Sequence, residues 1–430
     1  MRPELKLHCH ACVAVEGPDG ILLTDPWLFG DVFNGGWSLR PEPDLEALDL
    51  SRVRHVWLSH EHPDHLHVPS LRLIRSRVSG PLTAYYGRRD GSMVRDTLTA
   101  LGYDVVPLVP YRETALADGV SGTLFTAGDD STLVLRVGDR IVVNQNDCPL
   151  GADDVARLTR MFPRVDAWLF QFSLGGYCAN PDDRAGLAAA RRRQLDLIAR
   201  YGAAIRPATF VPFASFFYFS KRANAFLNAW AVTPADVMDA LPDLPTQILC
   251  PGDALLWEGW RARNPANLLR WRAIQESPMP IKPHAAVEEA ALLAAGRSLV
   301  AAVAACGAAA HGPGETHLEI DETGRAVAID CRRGRAGLVA RADPRRLAIR
   351  APAEELLYFL GSPHGASLFY SSCFRVVNPR RWNRLRRFRH ALTAGTAGRL
   401  GPALRTRLDR IDRTYLRGTL RGWYRRLKYR

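Results

Sequence analysis

Strand-like apolar runs alternate with turn-forming residues along the first sixty positions. Val13-Ala14-Val15 and Ile21-Leu22-Leu23-Thr24 flank the cluster Gly17-Pro18-Asp19-Gly20, a pattern that predicts a β-hairpin. Asp25-Pro26-Trp27-Leu28 then opens a long loop containing Gly30, Gly35 and Gly36, and the apolar run His55-Val56-Trp57-Leu58 predicts the next strand. Beyond it the apolar spacing becomes helical over 68–78 and 92–101, with a strand between at 82–86. Four strands are predicted at 105–109, 122–126, 132–137 and 140–144, the last two joined by the hairpin signal Gly138-Asp139. A helix near 153–161, a strand at 167–172 and a long helix over 184–201 follow. Strands in hairpins, then strands alternating with helices, predict an α/β layered domain rather than an all-β barrel.

After about residue 250 the pattern changes. An alanine-rich helix (285–305) precedes a hairpin (318–329), a helical stretch (352–359) and the loop Gly361-Ser362-Pro363-His364-Gly365. The expected organisation is a main domain over 1–255, an α+β addition over 256–376 and an Arg-rich amphipathic helical tail over 377–430. With 430 residues, 47% hydrophobic and 23% charged, the chain reads as an ordinary globular protein large enough for a full core. Its most apolar long stretch, 285–310, is interrupted by Glu288, Glu289 and Arg297 and reads as a buried helix, not a membrane span. The first residues lack the apolar core of a secretory signal. The eight scattered cysteines suggest reduced, mostly buried thiols, so a cytoplasmic protein is expected, with a peripheral membrane position as the alternative. Cys9-His10-Ala11-Cys12 has no second pair to complete a zinc ribbon. On one strand its sulfurs would point to opposite faces, so no metal is expected there.

Charge separates the tail from the body. The net +13 arises from residue 375 onward, where 17 arginines and one lysine stand against two aspartates. The preceding residues carry 39 basic and 42 acidic side chains. Leu404, Leu408, Ile411 and Tyr415, then Leu416, Leu420, Trp423 and Leu427, recur at helical spacing among the arginines. Such a helix fits the protein's own acidic body, an anionic membrane surface, or an acidic carrier or redox partner. Nucleic acid is not favoured, because no recognised module accompanies the charge.

The chemistry concentrates in Ser59-His60-Glu61-His62-Pro63-Asp64-His65-Leu66-His67. In a strand, His60 and His62 would project to one side, and Pro63 would end that strand and turn Asp64 and His65 back to the same place. Imidazoles interleaved with a carboxylate are the donors that two adjacent metal ions require, zinc and iron above all.

This order, after a strand and before a helix, resembles the metallo-β-lactamase superfamily, which implies an αββα sandwich. Asp25-Pro26-Trp27-Leu28 with Gly36-Trp37, the stretch Ser59 to Leu66, Asn144-Gln145-Asn146-Asp147-Cys148 and Pro212-Phe213-Ala214 are similar, in order, to the CMP-N-acetylneuraminate hydroxylases. The C-x-H…C-x-x-H pattern of their Rieske iron–sulfur module is missing from this sequence. The resemblance implies that His60 and His62 hold one metal and Asp64 and His65 the second. Asp147 would bridge them as the catalytic carboxylate, and Asp25 and His10 would stand behind the ligands. Hydrolytic relatives usually place a histidine just before the hairpin leading to the bridging aspartate. Here that place reads Ala127-Gly128-Asp129-Asp130-Ser131. Asp130 is the ligand candidate and Asp129 its fallback, and a carboxylate there favours iron over zinc. A further histidine is expected near 218–224 and is missing, so Asn224 or His364 is the candidate extra ligand.

Two functions remain open. The preferred one is a diiron oxygenase that hydroxylates a small biosynthetic substrate with electrons from an external donor. The other is a hydrolase of an ester, thioester or phosphoester, using a metal-bound hydroxide on two metal ions, zinc in place of iron. Candidate substrate-pocket residues are Trp37, Tyr177, Phe216, Phe217, Tyr218, Lys221 and Arg222.

Overall fold

The computed structural model describes residues 4–87, 93–128, 130–305, 307–362 and 364–396. It divides into two compact units. The first takes residues up to Ser220 together with Ala225–Ile281, and the second takes Lys221–Asn224 with residues from Lys282 on.

In the first unit the chain runs β1 (Glu4–Cys9), β2 (Cys12–Gly17), β3 (Gly20–Thr24), β4 (Asp31–Val32), β5 (Trp37–Leu39), β6 (Val53–Leu58), α1 (Val68–Arg77), β7 (Thr83–Gly87), α2 (Met93–Ala100) and β8 (Asp104–Leu108). It continues through β9 (Glu113–Ala117), β10 (Val120–Ala127), β11 (Asp130–Val137), β12 (Arg140–Asn146), α3 (Ala152–Met161), β13 (Ala167–Gln171), α4 (Arg184–Ile205), β14 (Phe210–Phe213), β15 (Phe217–Phe219), α5 (Pro234–Ala240) and α6 (Asn264–Glu276). Two six-stranded sheets result, ordered β1-β2-β3-β6-β7-β8 and β14-β13-β12-β11-β10-β9. Each is part antiparallel and part parallel: β3, β6, β7 and β8 run parallel in one, β12, β13 and β14 in the other. One continuous core joins them, with Leu7, Val13 and Trp57 from the first sheet and Leu124, Leu133, Trp168 and Phe210 from the second. With its helices, this is the αββα sandwich expected from the histidine motif.

The parallel parts position the site. In open α/β sheets, ligands gather where parallel strands end at their carboxyl ends. Here β3 ends at Thr24 just before Asp25, β6 at Leu58 just before the histidine stretch, and β12 at Asn146 just before Asp147. A third, small sheet, β15-β5-β4, carries Trp37 and Phe217.

Several expectations shift. β9 escapes the pattern because it is a largely exposed edge strand with little alternation to read. The expected boundary at 255/256 falls instead at 281/282, because Trp271 of α6 is buried against Phe172 and Phe216 in the core of the first unit. Cys9 and Cys12 do not share a strand: β1 ends on one and β2 begins on the other, so they pair across a hairpin.

The second unit contains α7 (Glu289–Ala305), β16 (Thr316–Ile320), β17 (Ala326–Asp330), β18 (Arg335–Val339), β19 (Leu347–Ala351), α8 (Ala353–Gly361), α9 (Leu368–Ser371), β20 (Arg375–Val376) and α10 (Pro379–Thr396). Its sheet is ordered β18-β17-β16-β19-β20. The tail expected from 377 on begins as α10, whose Trp382, Leu385, Phe388 and Leu392 are buried at helical spacing. Trp382 packs on Phe359 and Phe374, so this part belongs to the unit's own core. Leu404 to Leu427, which carried the amphipathic expectation, lie outside the described residues. No helix among the described residues is long and apolar enough to cross a membrane.

Lys221, an expected substrate-pocket residue, is instead buried in this second unit. Its Nζ lies 2.7 Å from Glu355 Oε1 and 2.8 Å from Glu354 Oε2, and Glu355 is fully buried. A buried charge that loses its partner is strongly destabilising, whereas removing both charges is close to neutral. Lys221→Ala is therefore expected to cost about 3–5 kcal/mol in chemical denaturation, and Lys221→Met with Glu355→Leu should recover most of it.

Candidate metal centre

The strand ending at Leu58 releases the chain into a loop, so His60 and His62 do not converge by strand alternation. A tight turn gathers them instead: the His65 and Leu66 amides both donate to the His62 carbonyl, at 2.9 and 2.7 Å. Pro63 at the head of this turn fits its fixed φ. His67 lies outside the cluster of donors; its Nδ1 accepts from the Ser70 amide and caps α1.

Three overlapping sets of ligating atoms result: His60, His62 and Asp130; His60, His65 and Asp147; and His10, Asp64 and His65. Within each set the donor atoms lie within 4.8 Å of one another. His60 Nε2 is 2.7 Å from His62 Nδ1. Asp147 Oδ1 lies between two rings, 3.9 Å from His60 Nδ1 and 3.6 Å from His65 Nε2. Asp64 Oδ2 is 3.4 Å from His65 Nε2 and 3.3 Å from His10 Nε2. Behind the rings, Asp25 accepts from the Ser59 amide (2.8 Å) and faces His65 Nδ1 (3.0 Å). A carboxylate on one imidazole nitrogen leaves the other to face a metal. The Ser131 hydroxyl donates to the Ser59 carbonyl and so ties the second sheet to the loop after β6, while within the second sheet the Asn146 side-chain amide donates to the Ser131 carbonyl.

A metal fits this donor set. His65 Nε2, Asp64 Oδ1, Asp147 Oδ1 and His10 Nδ1 are buried without a hydrogen-bond partner, a costly arrangement unless something else satisfies them. Protons divide unevenly among the rings. Burial lowers His60 and His10 and brings His62 to about 4, the neighbouring His60 adding to the effect on His62. Burial acts the same way on His65, but the carboxylates of Asp64, Asp147 and Asp25 outweigh it and hold its pKa well above the ordinary value. Burial would raise Asp64, and the facing His65 together with the hydrogen bond from His10 instead keeps its carboxyl well below the usual range.

His60, His62, Asp64, His65, Asp130 and Asp147 thus come together, with Asp25 behind them. His10 departs from expectation: it stands among the ligating atoms rather than behind them. The two-residue loop between β1 and β2 carries it there, and its carbonyl accepts from the Ala214 amide. A lone histidine at a hairpin tip gives no spacing signal. Asp129 lies outside the described residues. Asn224 is engaged in the second unit, accepting from the Lys221 amide and donating to the Ser371 carbonyl. His364 is exposed in that unit and belongs to none of the ligating sets among the described residues. Of the expected pocket residues, Phe217 stacks on Trp37 (ring centroids 3.7 Å) and lies edge-on to His10 at 5.5 Å, whereas Phe216 is fully buried against Trp271.

No family model matches the chain. Among curated proteins, it is 44% identical over 69 residues to the cytidine monophosphate-N-acetylneuraminic acid hydroxylase of Asterias rubens, a match covering 16% of this chain and 11% of that protein. It is 24% identical over 236 residues to the hydroxylase of the same name from Sus scrofa, covering 51% of this chain and 53% of that one. The match thus spans about half the length of the longer-matching relative. Among solved structures, a variant of the CmlA beta-hydroxylase is 17% identical with a TM-score of 0.42, covering 59% of this chain and 53% of that one. A metallo hydrolase from Ignicoccus hospitalis is 14% identical with a TM-score of 0.42, covering 59% and 98%.

Two outcomes are expected at this centre. Asp25→Asn should weaken metal binding about 10–100-fold, read by competition with a chromophoric chelator. Metal loading should release the His65 proton, so affinity should rise with pH, as calorimetric titration in buffers of different ionisation enthalpy can measure. In the metal-free chain the stabilisation from this imidazolium is complete below about pH 6.5 and is lost as pH rises through the elevated folded value.

Proposed function

We propose that the chain is a dinuclear metal-dependent oxygenase that hydroxylates a small substrate, drawing electrons from an external donor. The observation that carries this reading is Asp130. It joins His60 and His62 where hydrolytic relatives usually place a histidine, and an added carboxylate suits iron and its oxidised states better than zinc. Similarity to proteins named as hydroxylases supports the same direction.

In this reading His60, His62 and Asp130 would hold one ion, and His10, Asp64 and His65 would hold the other. Asp147, whose Oδ1 faces both His60 and His65, would serve both. Bound as iron, such a pair supplies redox chemistry with dioxygen; bound as zinc, it supplies Lewis-acid activation of water for ester, thioester or phosphoester hydrolysis. The chain's own residues supply the rest. Asp147 is the most exposed of the carboxylates that contact His65; burial would raise its pKa, but the facing His60 and His65 rings hold it below the ordinary value, so it presents an ionised Oδ1 to both. Asp25 fixes the His65 ring. Trp27, Trp37 and Phe217 pack around His10 and keep that side of the centre dry, which strengthens each charge interaction within it.

Protein produced with iron supplementation should retain iron and consume dioxygen when given a reductant. Asp147→Ala should lower turnover by at least the ~10–100-fold that losing a residue supporting a metal ligand costs, with an unchanged far-ultraviolet circular dichroism spectrum. Zinc as the sole stoichiometric metal, together with turnover of a simple ester or thioester in the absence of oxygen, would overturn this reading in favour of the hydrolase.

A further inference from the structure

Cys9 and Cys12 have no part in the metal-centre reading, although His10 stands between them. They are cross-strand partners at the head of the β1–β2 hairpin, with His10 and Ala11 as the loop. Paired residues of antiparallel strands have Cα atoms about 4.5–5.5 Å apart, and a disulfide spans about 4.4–6.8 Å. Both cysteines are free and fully buried. The Cys9 thiol donates to the Trp27 carbonyl at 2.9 Å. Side chains of directly paired antiparallel residues stand on the same face of the ladder, so the pairing brings the two thiols within reach of one another.

We propose that Cys9 and Cys12 form a redox-modification site, a dithiol that a small hydroperoxide converts to an intrachain disulfide. Two S–H bonds break and one S–S bond forms. The two electrons and two protons pass to the peroxide, whose O–O bond breaks; with hydrogen peroxide, two waters leave. Burial slows the attack and restricts the oxidant to a small neutral molecule, excluding exchange with a bulky protein disulfide. The hairpin gives the modification a consequence. The crosslink closes the base of the loop whose His10 Nε2 lies 3.3 Å from Asp64, and so limits how that imidazole can move. The inference does not depend on which reaction the neighbouring centre runs.

The test uses the full-length protein, freed of reductant and exposed to hydrogen peroxide. After unfolding, free thiols are alkylated with one reagent, disulfides are reduced, and the newly freed thiols are alkylated with a second before peptide mass spectrometry. Cys9 and Cys12 should take the second label together, rising from a trace to the majority. Before reduction, the peptide carrying both should be lighter by two hydrogens than the dithiol form. In Cys12→Ser, Cys9 should keep the first label; if that variant does not fold, the unmodified chain decides the matter alone. The proposal is overturned if Cys9 and Cys12 keep the first label at peroxide levels that oxidise the half-buried Cys178. Separate sulfinic acids with no linked form would overturn it too.

Discussion

The metal centre depends on one buried carboxylate. Asp25 is fully buried, and a charge in that position is tolerated only when it is paired and hydrogen-bonded. Its two oxygens meet that requirement by reaching the Ser59 amide, where the histidine loop begins, and His65 Nδ1, where its tight turn ends. One side chain thus pins both ends of the loop. The backbone bends to allow it: Asp25 has φ 36°, and the left-handed region recurs at Asn146 (φ 45°) and Ala214 (φ 49°). Each of these residues follows or closes a strand beside the centre. Such conformations cost about 1–3 kcal/mol each in non-glycine residues and persist where surrounding contacts over-determine them. Those contacts are present. The Asn146 side chain donates to the Ser131 carbonyl, and the Ala214 amide donates to the His10 carbonyl.

Much of this was legible in the sequence because it is local. The Gly17–Gly20 turn, the Gly138-Asp139 hairpin, the run before Ser59 and the helix after His67 each declare themselves within a few residues. The histidine stretch is equally compact, and its donor types alone indicate a metal. The illegible parts depend on contacts distant in sequence. His10 meets Asp64 across 54 positions, and no spacing rule connects them. Lys221 and Arg222 read as substrate-pocket residues, yet Lys221 finds Glu355 134 positions away. Trp271 keeps α6 in the first unit through ring contacts with Phe172 and Phe216, which a change of composition near residue 250 could not reveal. Cys9 and Cys12 were misread for a related reason. A two-residue loop reverses the chain between them, and strand alternation ceases to apply at such a reversal.

The same excess of negative charge governs protons and metals. Asp64, Asp130 and Asp147 converge with imidazoles that burial keeps mostly neutral, so the donor set carries three formal negatives. A histidine at position 130 would leave two. Each added carboxylate stabilises the more highly charged ion, which is why this one position bears on iron against zinc. Without a metal, that charge has one outlet among the rings. It draws a proton onto His65, against the cost of burial, and that charged ring in turn holds Asp64 ionised. His65 Nε2 faces Asp64 and Asp147, so the proton and the ion compete for a single nitrogen, and the carboxylates that retain the one are those that would bind the other.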